Sequence, residues 1–197
     1  MCEGRLVYVM GASGAGKDSL IAHARRFCGQ PEASSAHLPL FFARRYITRP
    51  ADAGGEEHTS LSLEEFALYS GLGLFALQWE SHGLHYGIRT DINDHLAQGH
   101  TVVMNGSRAY LPHAARLYPS LTPLLITVRP DALRARLEAR NRETPAQIEE
   151  RLSGALMPLP EYPSLVRLDN SGDFSETGRN FITLLERIAN GQENQHE

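Results

Sequence analysis

The stretch GASGAGK, Gly11 to Lys17, has the residue types and spacing of a loop that binds phosphate groups. Glycines let the backbone turn so that its N–H groups converge on phosphate oxygens, and a following helix adds its positive end. The lysine places a positive charge beside the β- and γ-phosphates of a nucleotide. The pattern predicts a nucleotide site with ATP as the expected donor. The predicted contact residues are Gly11, Ala12, Ser13, Gly14, Ala15, Gly16, Lys17, Asp18 and Ser19.

The alternative interpretation of this stretch is a glycine-rich turn with an incidental lysine. The chain has 19 lysine and arginine residues, and Lys17 is the only lysine among them. Because every other basic position carries arginine, the lysine inside the loop favours the phosphate site. We therefore predict that Lys17 is catalytic.

Asp18 stands where such loops place a serine or threonine that binds Mg²⁺ through its hydroxyl. A carboxylate is also a hard oxygen ligand, and its negative charge favours the cation. We therefore predict Asp18 as a metal ligand. The alternative is a carboxylate that only stabilises the N-terminus of a helix. Ser19 lies about 100° further round that helix and is a poor substitute.

Two groups of arginines follow the loop along the chain. Arg45 and Arg49 would share one face of an extended segment and so suit a second anionic group, although a solvated edge strand is the alternative. Arg136, Arg140 and Arg151 lie on two predicted helices that flank the breaker sequence NRETP. They predict a lid over about residues 136–156 that closes on the transferring phosphates. The alternative is surface pairing with the glutamates of the same helices.

Strands alternate with helices along the chain, which predicts an α/β fold with a mostly parallel sheet flanked by helices. A strand-rich insert for the acceptor is predicted at about residues 39–87, inside a single domain whose core is 1–38 and 88–197. The predicted strands are Arg5–Met10, Thr101–Met104, Leu124–Val128 and Ser164–Leu168, and the predicted helices include Lys17–Phe27 and Phe181–Ala189.

The composition limits the classes of partner. The net charge is −4 and 42% of residues are hydrophobic, so neither nucleic acid nor an anionic membrane is expected as a partner. No apolar run approaches the length of a membrane span. The two cysteines form no disulfide framework, which favours the cytoplasm. The oligomeric state, monomer or homodimer, stays open.

Several motifs together resemble the guanylate-kinase-like branch of the nucleoside monophosphate kinases over nearly the whole chain. They are GASGAGKDSL, ITRP, FALQWESHGLHYGI, TVVMNGSR and the pair RLEAR and IEERL. The resemblance implies a P-loop NTPase fold in which Arg140 and Arg151 bracket the phosphates. It also implies that Tyr86 and Arg49 hold the acceptor phosphate and that Asn170 lies by the adenine.

The acceptor region departs from true guanylate kinases. Those enzymes have a serine at Asp18, a carboxylate at Gln78 and an acidic pair where Asn105 and Ser107 stand. A glutamate that accepts two hydrogen bonds from guanine is hard to replace, because unpaired donors are rejected strongly. Guanine is therefore not the expected acceptor.

The same departures resemble the ribose 1,5-bisphosphate phosphokinases of phosphonate breakdown. That family uses ATP to phosphorylate the 1-phosphate of ribose 1,5-bisphosphate. We therefore predict that Arg45, Arg49, Tyr86 and Arg108 grip the sugar bisphosphate, although a surface arginine is the alternative interpretation of Arg108. Mg²⁺ is expected at Asp18, and Arg136 and Asn170 are expected at the nucleotide. A nucleoside monophosphate kinase is the first alternative. A silent protein-binding module and a regulatory nucleotide switch are weaker, because the glycine loop and the arginine-bearing lid are both present.

Overall fold

The computed structural model describes residues 4–28, 39–50, 57–141, 143–156, 162 and 164–192. Within these ranges the chain forms nine strands and seven helices. The strands are β1 Leu6–Gly11, β2 Leu40–Phe42, β3 Arg45–Ile47, β4 Thr59–Ser60, β5 Phe75–Ser81, β6 Leu84–Arg89, β7 Thr101–Asn105, β8 Thr122–Thr127 and β9 Val166–Asp169. The helices are α1 Lys17–Cys28, α2 Leu63–Gly71, α3 Asp91–Ala97, α4 Leu111–Leu117, α5 Pro130–Arg140, α6 Pro145–Ala155 and α7 Phe174–Ala189.

The main sheet is parallel and has the strand order β2-β7-β1-β8-β9. Its central strand, β1, is buried on both faces. Val7 and Val9 pack into one core with α1 and α7, whereas Leu6, Tyr8 and Met10 pack into a second core on the opposite face. Helices therefore cover both sides of the sheet, and the predicted α/β layering is confirmed. Strand β1 ends at the glycine loop, so the rigid centre of the fold carries the candidate site.

A second sheet has the order β4-β3-β6-β5. Strands β5 and β6 form a hairpin whose turn residues, His82 and Gly83, both have positive φ, as two-residue hairpins favour. Helix α2 begins at Ser62, which with Glu65 forms the capping box that the sequence predicts.

The strand-rich insert was predicted at about residues 39–87, and in the structure it begins later than that. Strand β2 pairs with β7 in the main sheet rather than with the second sheet. Its side chains explain this placement, because Phe41 packs against one core of the main sheet and Phe42 against the other. The second sheet starts only at β3 and extends through Arg89.

The predicted strands and helices all form, with shifted ends. Helix α7 begins seven residues before the predicted Phe181, at Phe174, because the side chain of Asp173 accepts a hydrogen bond from the Glu176 N–H and caps the helix. The two lid helices are α5 and α6, although Arg142, inside the predicted lid, lies outside the described residues. In the part of the chain that is described, no helix has both the length and the apolar composition that crossing a bilayer needs.

A buried tyrosine fixes the segment after β7. The Tyr8 hydroxyl donates to the Ser107 carbonyl at 2.9 Å and accepts from the Ser107 N–H at 3.0 Å. Burial raises the pKa of Tyr8 well above its usual range. A Cβ on Gly106 would lie 2.1 Å from the tyrosine ring, so only glycine lets this backbone pass.

We predict that Gly106→Ala lowers the free energy of unfolding by about 1–3 kcal/mol, because the added methyl group overpacks the Tyr8 ring. Gly154→Ala is the matched control, since an added Cβ in this helix α6 position meets no atom within 4 Å. The control should be neutral or stabilising by roughly 0.5–1 kcal/mol. Urea unfolding of both variants measures the difference, and equal stabilities would contradict the role of Gly106.

Candidate active site

The glycine loop connects β1 to α1 and is held in place by a contact with Asn170. Its side-chain Nδ2 donates to the Ala15 carbonyl at 2.8 Å, and Asn170 is only 1% exposed. Gly16 has φ +88, and a Cβ there would lie 2.4 Å from the same Nδ2 atom. The Asn170 amide therefore fits against the loop only because Gly16 lacks a side chain.

Arg136 of α5 contacts the same asparagine. Its Nη2 atom donates to the Asn170 carbonyl at 2.6 Å. Arg136 and Asn170, both predicted to bind the nucleotide, thus lie together behind the loop. Their contact with the nucleotide itself stays a prediction.

The Lys17 ammonium lies across the loop. Its Nζ atom donates to the carbonyls of Gly11 and Ala12, each at 2.9 Å. Phosphate oxygens carry more negative charge than these carbonyls and would compete well for the same donors. This position is consistent with the predicted role of Lys17.

Asp18 is the centre of a polar cluster built from three parts of the chain. Its Oδ1 atom accepts from Asn105 Nδ2 at the end of β7, and it forms an ion pair with Arg45 Nη2 of β3 at 3.3 Å. The Arg45 guanidinium also lies over the Tyr86 ring, 5.6 Å from its centroid. The cluster therefore brings the loop, the main sheet and the second sheet to one point.

The donors around Asp18 fit a magnesium ion. Mg²⁺ is usually held by one or two carboxylates with phosphates and water, rather than by a complete protein cage. The Asp18 side chain is 37% exposed, and the buried Oδ1 of Asn105 has no hydrogen-bond partner among the described residues. A carboxylate and a spare amide oxygen are both hard ligands. Nowhere in the described ranges do three His, Cys, Asp or Glu side chains group to form an all-protein metal site.

The lid contacts the glycine loop through Arg151 of α6. Its Nη1 atom donates to Ser13 Oγ at 2.6 Å and pairs with Glu143 at 3.2 Å. The Glu143 side chain is only 8% exposed, so it holds Arg151 at the loop. Surface pairing of lid charges also occurs, between Arg134 and Glu149. Arg140, at the last position of α5, is exposed and makes no hydrogen bond to the described loop.

Arg108 contacts the lid rather than an open pocket. Its Nη2 atom donates to the Gly154 carbonyl at 2.6 Å, in the last turn of α6. Burial lowers the pKa of the Arg108 guanidinium. The residue therefore connects the segment after β7 with the end of the lid.

The second sheet carries the remaining predicted acceptor residues. Arg49 Nη2 lies 3.3 Å from His58 Nδ1, and the other ring nitrogen of His58 lies 3.2 Å from the Arg49 carbonyl. Tyr86 stacks on Trp79 with ring centroids 5.4 Å apart. The structure places Tyr86 with Arg45, near Asp18, whereas Arg49 lies at the His58 side of the same sheet.

Four residues at the site were not among the predicted site residues. Asn105 directly follows the predicted strand Thr101–Met104, and ligands bind beyond the carboxyl ends of parallel strands, so that position was a usable signal. Glu143 contacts Arg151 and His58 contacts Arg49, and no motif in the sequence links the members of either pair. Arg25 of α1 faces the same cleft as Asp18, two helical turns further on.

Comparison with known proteins finds close relatives. The chain is 51% identical to the ribose 1,5-bisphosphate phosphokinase PhnN of Desulfomicrobium baculatum, over 92% of this chain and 94% of that protein. It is 46% identical to the protein of the same name from Thiobacillus denitrificans, over 94% of each. The corresponding protein of Burkholderia pseudomallei is 45% identical, over 96% of this chain and 99% of its own. No family model matches the sequence.

Solved structures resemble the fold at low sequence identity. Guanylate kinase from Anaplasma phagocytophilum has a TM-score of 0.63 at 15% identity, over 96% of this chain and 89% of that chain. A gluconokinase from Sinorhizobium meliloti has a TM-score of 0.51 at 20% identity, over 96% and 95%. The predicted P-loop kinase fold is confirmed.

We predict that Asn170→Ala weakens the binding of an ATP analogue several-fold and lowers the free energy of unfolding by about 1–3 kcal/mol, because the buried Ala15 carbonyl loses its donor. Asn190→Ala, at the exposed end of α7, is the control and should change neither value. Fluorescence titration and denaturant unfolding measure the two effects. An unchanged affinity would show that the loop keeps its shape without this amide.

Proposed function

The chain belongs to the ribose 1,5-bisphosphate phosphokinase family, and from this premise we propose that it transfers the γ-phosphoryl group of ATP to the 1-phosphate of ribose 1,5-bisphosphate. The products are 5-phosphoribosyl 1-diphosphate and ADP. The observation that carries the proposal is 51% identity over 92% of the chain to a protein of that name. The expected pathway is phosphonate breakdown.

The reaction needs positioning more than acid–base chemistry. An oxygen of the acceptor 1-phosphate forms the new bond to the γ-phosphorus, and the bond from that phosphorus to the β,γ-bridging oxygen breaks as ADP leaves. The attacking oxygen is already anionic near neutral pH, so no side chain has to remove a proton. Catalysis then depends on alignment and on neutralising the charge of the transferring group.

The donor side uses residues whose present partners are weaker acceptors than phosphate. Lys17 exchanges the carbonyls of Gly11 and Ala12 for oxygens of the β- and γ-phosphates. Arg151 already reaches the loop at Ser13 and is held there by Glu143. Arg140, exposed at the end of α5, completes the pair of lid arginines when the lid closes.

Asp18 and Asn105 would hold Mg²⁺. The ion, when bound, neutralises charge on the β- and γ-phosphates. Asp18 contributes the anionic oxygen, and Asn105 contributes its buried Oδ1, which has no partner in the described part of the chain. Arg45, which pairs with Asp18 in the structure, would then be available to the acceptor phosphate.

We assign the acceptor side to Arg45 and Tyr86 on the second sheet, Arg49 just after β3, and Arg108 after β7. Of these four residues, Arg45 is the one that contacts Asp18, and its guanidinium also lies over the Tyr86 ring. Arg108 holds the end of α6, so acceptor binding at this arginine would act on the lid as well. Gln78 has an exposed side chain and provides no carboxylate for a guanine base.

We predict ATP consumption with ribose 1,5-bisphosphate and far less with GMP or AMP, because GMP finds no carboxylate at Gln78 and neither nucleotide carries the second phosphate of the sugar bisphosphate. A coupled ADP assay with the three acceptors measures this, and phosphorus NMR identifies the product. Lys17→Ala is the control and should remove turnover while the protein still unfolds in a cooperative transition. A purine monophosphate as the best acceptor would overturn the proposal.

We predict that Asp18→Ala raises the magnesium concentration for half-maximal turnover roughly tenfold or more, because an anionic ligand is lost. Asp91→Ala removes a carboxylate from the first turn of another helix, α3, and is the matched control for a purely dipolar role. It should leave the magnesium titration unchanged. If the Asp18 variant titrates like the control, Asp18 acts on the helix and not on the metal.

A further inference from the structure

One face of α1 looks into a cleft of about 460 Å³ between that helix and the start of the second sheet. Asp18, Ala22 and Arg25 all line this cleft. Their spacing of four and then three residues puts them on one helical face. The small side chain of Ala22 leaves open space between the carboxylate at one end and the guanidinium at the other.

The Arg25 end of the cleft contains a carboxylate group, that of the Glu57 side chain. The Glu57 carboxylate accepts from Arg25 Nη1 at 3.1 Å through one oxygen and from Arg44 through the other. Two guanidinium groups from different elements therefore converge on a single anionic group. The Glu57 side chain is 65% exposed, and such solvent-exposed pairs contribute little to stability. A stronger anion can displace it.

Arg25 is also oriented by an apolar contact. Its guanidinium lies over the Phe42 ring, 5.9 Å from the centroid. Phe42 belongs to β2 and packs against a core of the main sheet, so the arginine rests on a rigid support. The planar guanidinium is thus held ready for a group with several acceptor oxygens.

We propose that Arg25, assisted by Arg44, is the anchor for the 5-phosphate of the acceptor, an inference that rests on the proposed function. The 1-phosphate lies at the Asp18 and Arg45 end, where transfer occurs. A phosphate monoester replaces the Glu57 carboxylate, because it carries more charge and offers three oxygens to the two arginines.

The distance between the two ends suits a pentose with a phosphate at each end. Asp18 and Arg25 are seven residues apart, which corresponds to about 10.5 Å along the helix axis. Both side chains extend into the cleft and shorten the gap that a ligand must bridge. The cleft volume also falls within the roughly 300–1,000 Å³ usual for small-molecule sites.

This arrangement gives α1 a part in substrate choice. A nucleoside monophosphate has a single phosphate, and that phosphate must lie at the transfer end. Nothing anionic in such a ligand then reaches Arg25. The sugar bisphosphate fills both anion sites, so the helix favours acceptors with a second phosphate at the correct distance.

The test compares the binding of ribose 1,5-bisphosphate, ribose 5-phosphate and ribose 1-phosphate by calorimetry. Arg25→Ala should weaken ribose 1,5-bisphosphate and ribose 5-phosphate by roughly tenfold or more, since a charge-assisted contact is lost. Its affinity for ribose 1-phosphate should change less than about twofold. Arg25→Lys keeps the charge and should lie between the two. Arg116→Ala, an exposed helical arginine outside the cleft, is the matched control.

Glu57→Gln gives an independent measurement in the opposite direction. Removing the competing charge should tighten binding of the two ligands that carry a 5-phosphate and leave ribose 1-phosphate unchanged. The inference is overturned if Arg25→Ala weakens all three ligands equally or none of them, or if Glu57→Gln has no effect.

Failure of the proposed function would look different. In that case the unmodified protein would not turn over ribose 1,5-bisphosphate. If it turns over this acceptor and Arg25→Ala still fails to discriminate among the ligands, only the position of the 5-phosphate anchor is wrong.

Discussion

The negative charge of Asp18 at the start of α1 is the constraint on which the site depends. A carboxylate beside a phosphate-binding loop repels the ligand unless a cation lies between them or beside them. In the structure the Arg45 guanidinium takes this part, with the Asn105 amide as a second donor. One unfavourable charge therefore requires residues from two other elements, β3 and β7. The ion pair between Asp18 and Arg45 also connects the second sheet to the loop.

Other cationic side chains of the candidate site also have protein partners in the structure. Lys17 contacts loop carbonyls, Arg151 contacts Ser13 and Glu143, and Arg108 contacts the end of α6. Each of these cations contacts a neutral or singly charged oxygen, which under the proposed function a phosphate group would replace. A buried cation without any partner would carry a large desolvation cost. Ligand binding is then an exchange of partners, and the gain comes from the greater charge of phosphate.

The sequence predicted the parts of this arrangement that are local. The glycine loop, the lysine, the strand before them and the capping box at Ser62 all follow from short-range patterns that act within a few residues. Membership of the family was also predictable, because Asp18 and Gln78 both differ from the residues of guanylate kinases and both resemble those of the ribose 1,5-bisphosphate phosphokinases. The partners of the arginines were not predictable. Glu143 lies eight residues before Arg151 but ahead of the start of α6, and Glu57 lies 32 residues after Arg25 and outside α1, so neither pair shares a helix or strand whose period could link its members.

The start of the second sheet was likewise not predictable from the sequence. Strand β2 is short and precedes β3 by two residues, so the sequence groups them together. The assignment depends on Phe41 and Phe42, which pack on opposite faces of the main sheet. The consequence is functional, because β2 supports Arg25 through Phe42 while β3 presents Arg45. The chain crosses from one sheet to the other between these strands, and the cleft that we propose for the acceptor is lined by Ala43 and Arg45 at that crossing. In the proposed arrangement, the topology would therefore set the separation of the two anion sites, and the position of the glycine loop would determine which of them lies next to the donor.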